Sequence, residues 1–210
     1  MNRSALIAAL TASTLLAACD RSPSPPAGNG SATNAGREQD SGDAAMANPF
    51  ASDERVMSEA MMKAVGADIS DTWVKMMIEH HRGAIAMSRT VLTQSPTAEV
   101  RKMAEAIIAK QTAESVKLTA MLSDRPSDPA SMEPYHAAMT AMDNEMMAAK
   151  GANVSEVYLR KMLAHHKGAL ALSEIVLARS SDPKVKEAAA TVKADQTKEV
   201  HDTEAILARI

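Results

Sequence analysis

Displacing the chain on itself by 85 residues lays residues 57–122 over residues 142–207 without a gap, with 25 identities in 66 positions. A repeat of this length constrains the fold more than any other feature, because whatever one copy adopts the other must be able to adopt and pack against. The matches include Met61 and Met62 with Met146 and Met147, Gly66 with Gly151, and Ser70 with Ser155. They continue through His80-His81 with His165-His166, and Gln111 and Glu114 with Gln196 and Glu199.

Each copy reads as a short helix followed by two long ones. Apolar residues recur with a helical period, aromatics make up only 2% of the chain, and no alternating strand pattern occurs. Ser95-Pro96 and Ser181-Asp182-Pro183 mark turns, Pro183 standing where a first helical residue loses nothing by lacking an N–H. Gly66 and Gly151 are expected to close the short helices in a left-handed conformation, and Ser70 and Ser155 to cap the next ones. The spacing predicts long helices near 70–94, 97–123, 155–179 and 182–209, and short ones near 53–65 and 131–149. Four long antiparallel helices imply an all-α four-helix bundle built from two repeated hairpins, each preceded by a short helix, over residues 53–210.

The segment before the repeat has a different character. Arg3 precedes an uncharged run over residues 5–18 that ends at Cys19. The run is too short to span a bilayer, which takes ~20 apolar residues, and matches a secretory signal. Leu16-Ala17-Ala18-Cys19 resembles a bacterial lipobox, in which the cysteine is acylated and becomes the mature N-terminus. Residues 1–19 are thus expected to be a signal ending in the lipidation site Cys19, and Asp20 after it resembles an inner-membrane retention signal. Residues 20–52, rich in Pro, Gly, Ser, Asn and Ala, cannot bury enough apolar surface to fold and are expected to form a tether spanning roughly 30 Å. The expectation is an exported protein, lipid-anchored at the periplasmic face of the inner membrane. Cys19 is the only cysteine, so the helical domain has no thiol ligand, disulfide or thiol nucleophile. With a net charge of −3 and no basic block, nothing points to nucleic acid.

On a helical wheel centred on His81, residues Val74, Met77, Ile78, Ala84, Ile85, Ser88 and Leu92 all fall within about 60°, so His81 occupies the middle of the apolar face. His80 lies about 100° away, at the boundary, near Met76 and Met87. His166 and His165 repeat the two positions, His166 beside Met162. In the following helix the apolar stripe is broken by Gln111 and Glu114, and in the second copy by Gln196 and Glu199. For a hairpin turning at Pro96, Gln111 faces His81 and Glu114 falls near Met77 and Ile78; Gln196 faces His166 and Glu199 falls near Met162. Buried unpaired imidazoles and carboxylates cost several kcal/mol, so such a layer must be satisfied by mutual hydrogen bonds, water or a metal. Two readings follow: a structural network that fixes helix register, or a binding centre.

Methionine bears on the choice. Of the 16 methionines all but Met1 lie beyond the signal, many on the short helices and around the histidine pairs. Thioethers fill irregular cores, but they are also soft ligands suited to Cu(I) or Ag(I). Met77 with His81, Met76 with His80 and His136 with Met139 stand at spacings that place both on one helical face. Met76 and Met87 are replaced by Lys161 and Leu172 in the second copy, so the two copies should not be equivalent.

The run from Met76 to Met87, with its His80-His81-Arg82-Gly83-Ala84 core and the later Gln111 and Glu114, resembles the bacterial domain of unknown function 305 family. The second run, from Lys161 to Leu172 with Gln196 and Glu199, is a looser match. The resemblance implies a ferritin-like helical bundle, and some members of that family are periplasmic copper-binding proteins associated with metal resistance. Leu118 and Thr203 stand where that pattern usually carries a methionine. The leading expectation is a non-enzymatic, membrane-tethered protein capturing copper, as Cu(I), or silver through His80, His81, His165, His166, Met76, Met77, Met87, Met162, Gln111, Glu114, Gln196 and Glu199. A structural or interaction lipoprotein is the alternative. A ferritin-like di-iron oxidoreductase is disfavoured, because it needs Glu-x-x-His on two core helices. Glu133-x-x-His136 falls at a short helix instead. Ser88 and Ser173 lie near the histidines, but without a nucleophile elbow they are read as small packing residues.

Overall fold

The structure, a computed structural model, describes residues 48–210. The expected signal, Cys19 and most of the tether lie outside them. The described chain is all helical: α1 (Ala51–Lys63), α2 (Ile69–Thr93), α3 (Ala98–Thr119), a 3₁₀ helix (Pro129–Tyr135), α4 (His136–Ala148), α5 (Val154–Arg179) and α6 (Pro183–Leu207). Among the described residues no helix is long and apolar enough to cross a membrane. The expected short helix over 131–149 is divided, and Pro134, which has no N–H to continue an α-helical ladder, sits inside the 3₁₀ stretch.

Each long helix starts on a side-chain cap. Asp68 accepts from the amides of Ser70 and Asp71, Asn153 from Glu156, Thr97 from Val100, and Asp182 from Lys184 and Val185. The caps of α2 and α5 are therefore Asp68 and Asn153, which are repeat equivalents, and not the serines expected two residues later. Ser70 instead bonds Ser180 across the domain at 2.7 Å, and Ser155 accepts from the Thr97 amide at 3.0 Å. Gly66 and Gly151 also differ from expectation, since no glycine among the described residues has positive φ. Gly66 is needed for close approach: a Cβ there would lie 2.3 Å from the Thr72 nitrogen.

α2 and α5 occupy the middle of the domain. α1 packs on α2 and α4 on α5, while α3 and α6 lie on the opposite side, each against its hairpin partner. A central helix has neighbours on three sides, which is why α2 buries Trp73, Met76, His80 and Met87 as well as Val74, Met77, His81 and Ala84. His80 and His165, placed at a boundary by the helical wheel, are for that reason fully buried.

The two copies are related by a pseudo-twofold axis, which is visible in the contacts themselves. Three pairs of repeat equivalents, each 85 apart in sequence, touch one another. Ser58 bonds Asp143 at 2.7 Å between α1 and α4, His80 meets His165 between α2 and α5, and Lys110 pairs with Asp195 at 3.0 Å between α3 and α6. Only residues on a twofold axis contact their own equivalents, so the three pairs trace the axis through all three tiers.

The glycine of each His-His-x-Gly run has a steric reason. A Cβ on Gly83 would lie 2.2 Å from Met57 Sδ, and one on Gly168 would lie 2.4 Å from Met142 Sδ. A methionine from each short helix thus seats itself on a long helix, one turn beyond the inner histidine pair. Gly83→Ala gains ~1 kcal/mol of helix propensity but overpacks this contact by about 1–3 kcal/mol. We expect net destabilisation, with Met57→Ala and Gly83→Ala together costing less than the sum of the two, as measured by a double-mutant cycle in urea.

Candidate functional site

The polar layer lies where α2 and α5 cross the axis. The rings of His80 and His165 stack with centroids 3.5 Å apart. His80 Nε2 donates to the His165 carbonyl at 3.1 Å, and His165 Nε2 to the His80 carbonyl at 3.0 Å. A carbonyl only accepts, so each Nε2 carries the proton and each Nδ1 keeps a bare lone pair. Both Nδ1 atoms are buried without a partner. A histidine held by its far N–H on a backbone carbonyl has the tautomer and orientation of a metal-ligating imidazole.

One turn of ring orientation away, His81 and His166 point toward α3 and α6. His81 Nε2 stands 2.9 Å from Glu114 Oε2, but neither atom makes a hydrogen bond of acceptable alignment. Gln111, fully buried, has both amide atoms unpartnered. In the second copy His166 Nδ1 bonds Gln196 Oε1 at 3.1 Å, and His166 Nε2 lies 3.5 Å from Glu199 Oε2. The sequence-based register is thus met for Gln196. Glu114 and Glu199, placed a turn further along beside Met77 and Met162, instead reach back to the histidines, a shift their three-carbon side chains allow.

Burial sets the charge states. It pushes His80 and His165 well below the usual imidazole range, with further lowering by neighbouring imidazoles, and it pushes His166 down to about 3. Burial also raises the Glu199 carboxyl above its ordinary value, against the opposing pull of Lys110. The layer is therefore held neutral.

The methionines named from sequence are all in the core: Met76, Met77, Met87 and Met162 have no exposed surface. His136 does not join them. It is half-exposed beside Glu133, whereas Met139 is buried. At the position of Met76 the second copy has Lys161, which is buried, donates to the Met146 carbonyl at 2.8 Å and pairs with Glu54. Sequence reasoning noted the replacement but not the ion pair. It also read Ser88 as mere packing, whereas Ser88 bonds the hydroxyl of Tyr158 at 2.7 Å. The repeat equivalents of that pair, Ser173 and Trp73, both have unpartnered polar atoms. Among the described residues, no three His, Cys, Asp or Glu side chains converge closely enough to hold a metal as they stand.

The profile of the domain of unknown function DUF305 matches this chain twice, over residues 9–122 and 123–208. The chain belongs to the DUF305 family. Among solved structures it is similar to the crystal structure of a DUF305 fragment from Deinococcus radiodurans, with a TM-score of 0.51 and 23% identity. That likeness covers 68% of this chain and 97% of the fragment, and it shows the shared fold. No curated protein matches. In this DUF305 chain the two profile matches correspond to the two halves related by the axis.

Two predictions follow from the geometry. Ser88→Ala removes a buried hydrogen bond and orphans the Tyr158 hydroxyl, a loss of about 1–3 kcal/mol, whereas Ser173→Ala removes no bond and should change stability by less than about 0.5 kcal/mol. Urea unfolding of the two variants reads the difference. For pH, the histidines have lower pKa values folded than unfolded, so the unfolded chain binds more protons between the two values. Stability is then complete above about pH 6.5 and falls as pH drops toward the His166 value of about 3, by up to about 1.4 kcal/mol per pH unit per histidine. Glu199, raised when folded, opposes this with one proton against three. Unfolding free energies at pH 7, 6, 5 and 4 should show the net loss; a flat profile would contradict neutral burial.

Proposed function

We propose that this DUF305 chain is a metal-binding protein that works outside the cytoplasm on a membrane tether, with copper as the favoured ion and no catalytic role. The observation that carries the reading is the set of orphaned polar atoms in one buried layer: Nδ1 of His80 and His165, both ring nitrogens of His81, both amide atoms of Gln111, and Oε2 of Glu114 and Glu199. Folded proteins pair nearly all buried polar groups, so a cluster of exceptions is a place built for a ligand. Donor atoms that share an ion at ~2 Å sit about 3 Å apart without being aligned on one another, which is the relation of His81 Nε2 to Glu114 Oε2. Imidazole suits copper in either oxidation state, carboxylate suits Cu(II), and the buried thioethers around the layer suit Cu(I) or Ag(I). The tether reading is supported by Arg3, the apolar run before Cys19 and the Pro- and Gly-rich stretch that follows.

The reciprocal carbonyl bonds of His80 and His165 favour a second, structural role for that pair, because they tie α2 to α5 whether or not an ion is present. The test therefore leaves them intact. The full chain and a His81→Ala, His166→Ala double variant are melted with and without Cu(I), Ag(I), Cu(II) and Zn(II). An ion at 100 times its Kd stabilises by about 2.7 kcal/mol, a rise of roughly 5–10 °C in Tm for a domain of this size. We expect that rise in the parent and its loss in the variant. No rise with any ion, or equal rises in both proteins, would overturn metal binding.

A further inference from the structure

The two imidazole–carboxylate pairs are equivalent in sequence but opposite in electrostatic setting. Lys110 extends from α3 across the axis and places its ammonium 3.2 Å from Glu199 Oε1 and 3.0 Å from Asp195. The His166–Glu199 pair thus has a cation of its own, supplied by the other copy. The repeat equivalent of Lys110 is Asp195. Turning the domain about its pseudo-twofold therefore sets a carboxylate beside Glu114 where Glu199 has an ammonium, and Asp195 and Glu114 do line one groove between α3 and α6. Lys117 and Lys184 line the same groove without forming an ion pair with Glu114, whose charged contact is His81.

Hydrogen bonding divides the copies in the same way. His166 is fixed by Gln196, whereas His81 and Gln111 are both fully buried with every side-chain polar atom unpartnered. Two carboxylates, a neutral-capable imidazole and an amide oxygen carry a formal charge of −2 when both acids are ionised. That set matches a divalent ion with mixed N and O preference better than a soft monovalent one. The groove, about 300 Å³, gives the site a route from solvent, since Glu114 is at its wall.

We propose that His81, Gln111 and Glu114, flanked by Asp195, form a single site for a divalent ion of the Cu(II) or Zn(II) class, and that Lys110 serves as the built-in counter-ion of the corresponding place in the second copy. This rests on the metal-binding reading above and assigns it one copy, one charge class and one ion per chain.

The test is stoichiometry. Native mass spectrometry and competition titration with Zn(II) and Cu(II) are applied to the full chain, to Glu114→Gln and to Lys110→Met. The parent should hold one ion, Glu114→Gln should bind at least about 10-fold more weakly, and Lys110→Met should gain a second ion by freeing Glu199. Should Glu114→Gln fail to fold, Asp195→Asn, a partly exposed side chain, is expected to weaken binding of the one ion without loss of helical circular dichroism. Two ions in the parent, unchanged affinity in the Glu114 or Asp195 variant, or no second ion in Lys110→Met would overturn this assignment while leaving metal binding in place. Binding of Cu(I) or Ag(I) alone would do the same. No binding of any ion would sink both proposals.

Discussion

The whole arrangement depends on the mutual bond between His80 and His165 at the centre of the domain. Each imidazole caps the other's backbone, and the carbonyls involved lie inside the central helices, so the α2–α5 crossing is held by polar contacts at a point where only packing would ordinarily act. Two neutral rings at van der Waals distance can share that space; two charged ones cannot, because their repulsion acts in a dry interior of low dielectric. Geometry and protonation state are therefore one condition. The tiers on either side inherit their placement from it, α1 and α4 riding on the outer faces of the central pair and α3 and α6 closing the other side.

Much of this was legible in the sequence. The repeat announced two equivalent halves, the punctuation at Ser95-Pro96 and Asp182-Pro183 located the hairpin turns, and the long helices lie within a few residues of where periodicity sets them. The inward setting of His81, His166, Gln111 and Gln196 followed from the helical wheel. What escaped was relational. A wheel treats each helix as if it had one buried side, and so it put His80 and His165 at an edge that is in fact the seam between copies. A register estimate counts Cα positions and ignores side-chain reach, and so it missed Glu114 and Glu199 meeting the histidines. The cap assignments failed because Asp68 and Asn153 outcompete the serines two residues on, a choice that only the local chain path decides.

Divergence between the halves is concentrated in polar positions. Met76 became or derives from the buried Lys161 with its partner Glu54, Trp73 faces the role that Tyr158 fills with a hydroxyl, and Lys110 stands opposite Asp195. The apolar framework, by contrast, is kept: Met57 with Gly83 repeats as Met142 with Gly168. Packing demands shape from both halves alike, whereas charge can be redistributed between them as long as the sum at each contact is satisfied.

The axis contacts carry an evolutionary consequence. Two identical subunits meeting on a symmetry axis must oppose each residue to a copy of itself, so a lysine would face a lysine and an aspartate an aspartate. Joined in one polypeptide, the halves escaped that restriction and acquired Lys110 against Asp195 and Ser58 against Asp143. Severed again, neither half could self-associate without setting like charges together, while the unlike halves would still fit. Fusion has thus worked as a ratchet, making a return to a symmetric two-chain ancestor harder with each complementary pair gained.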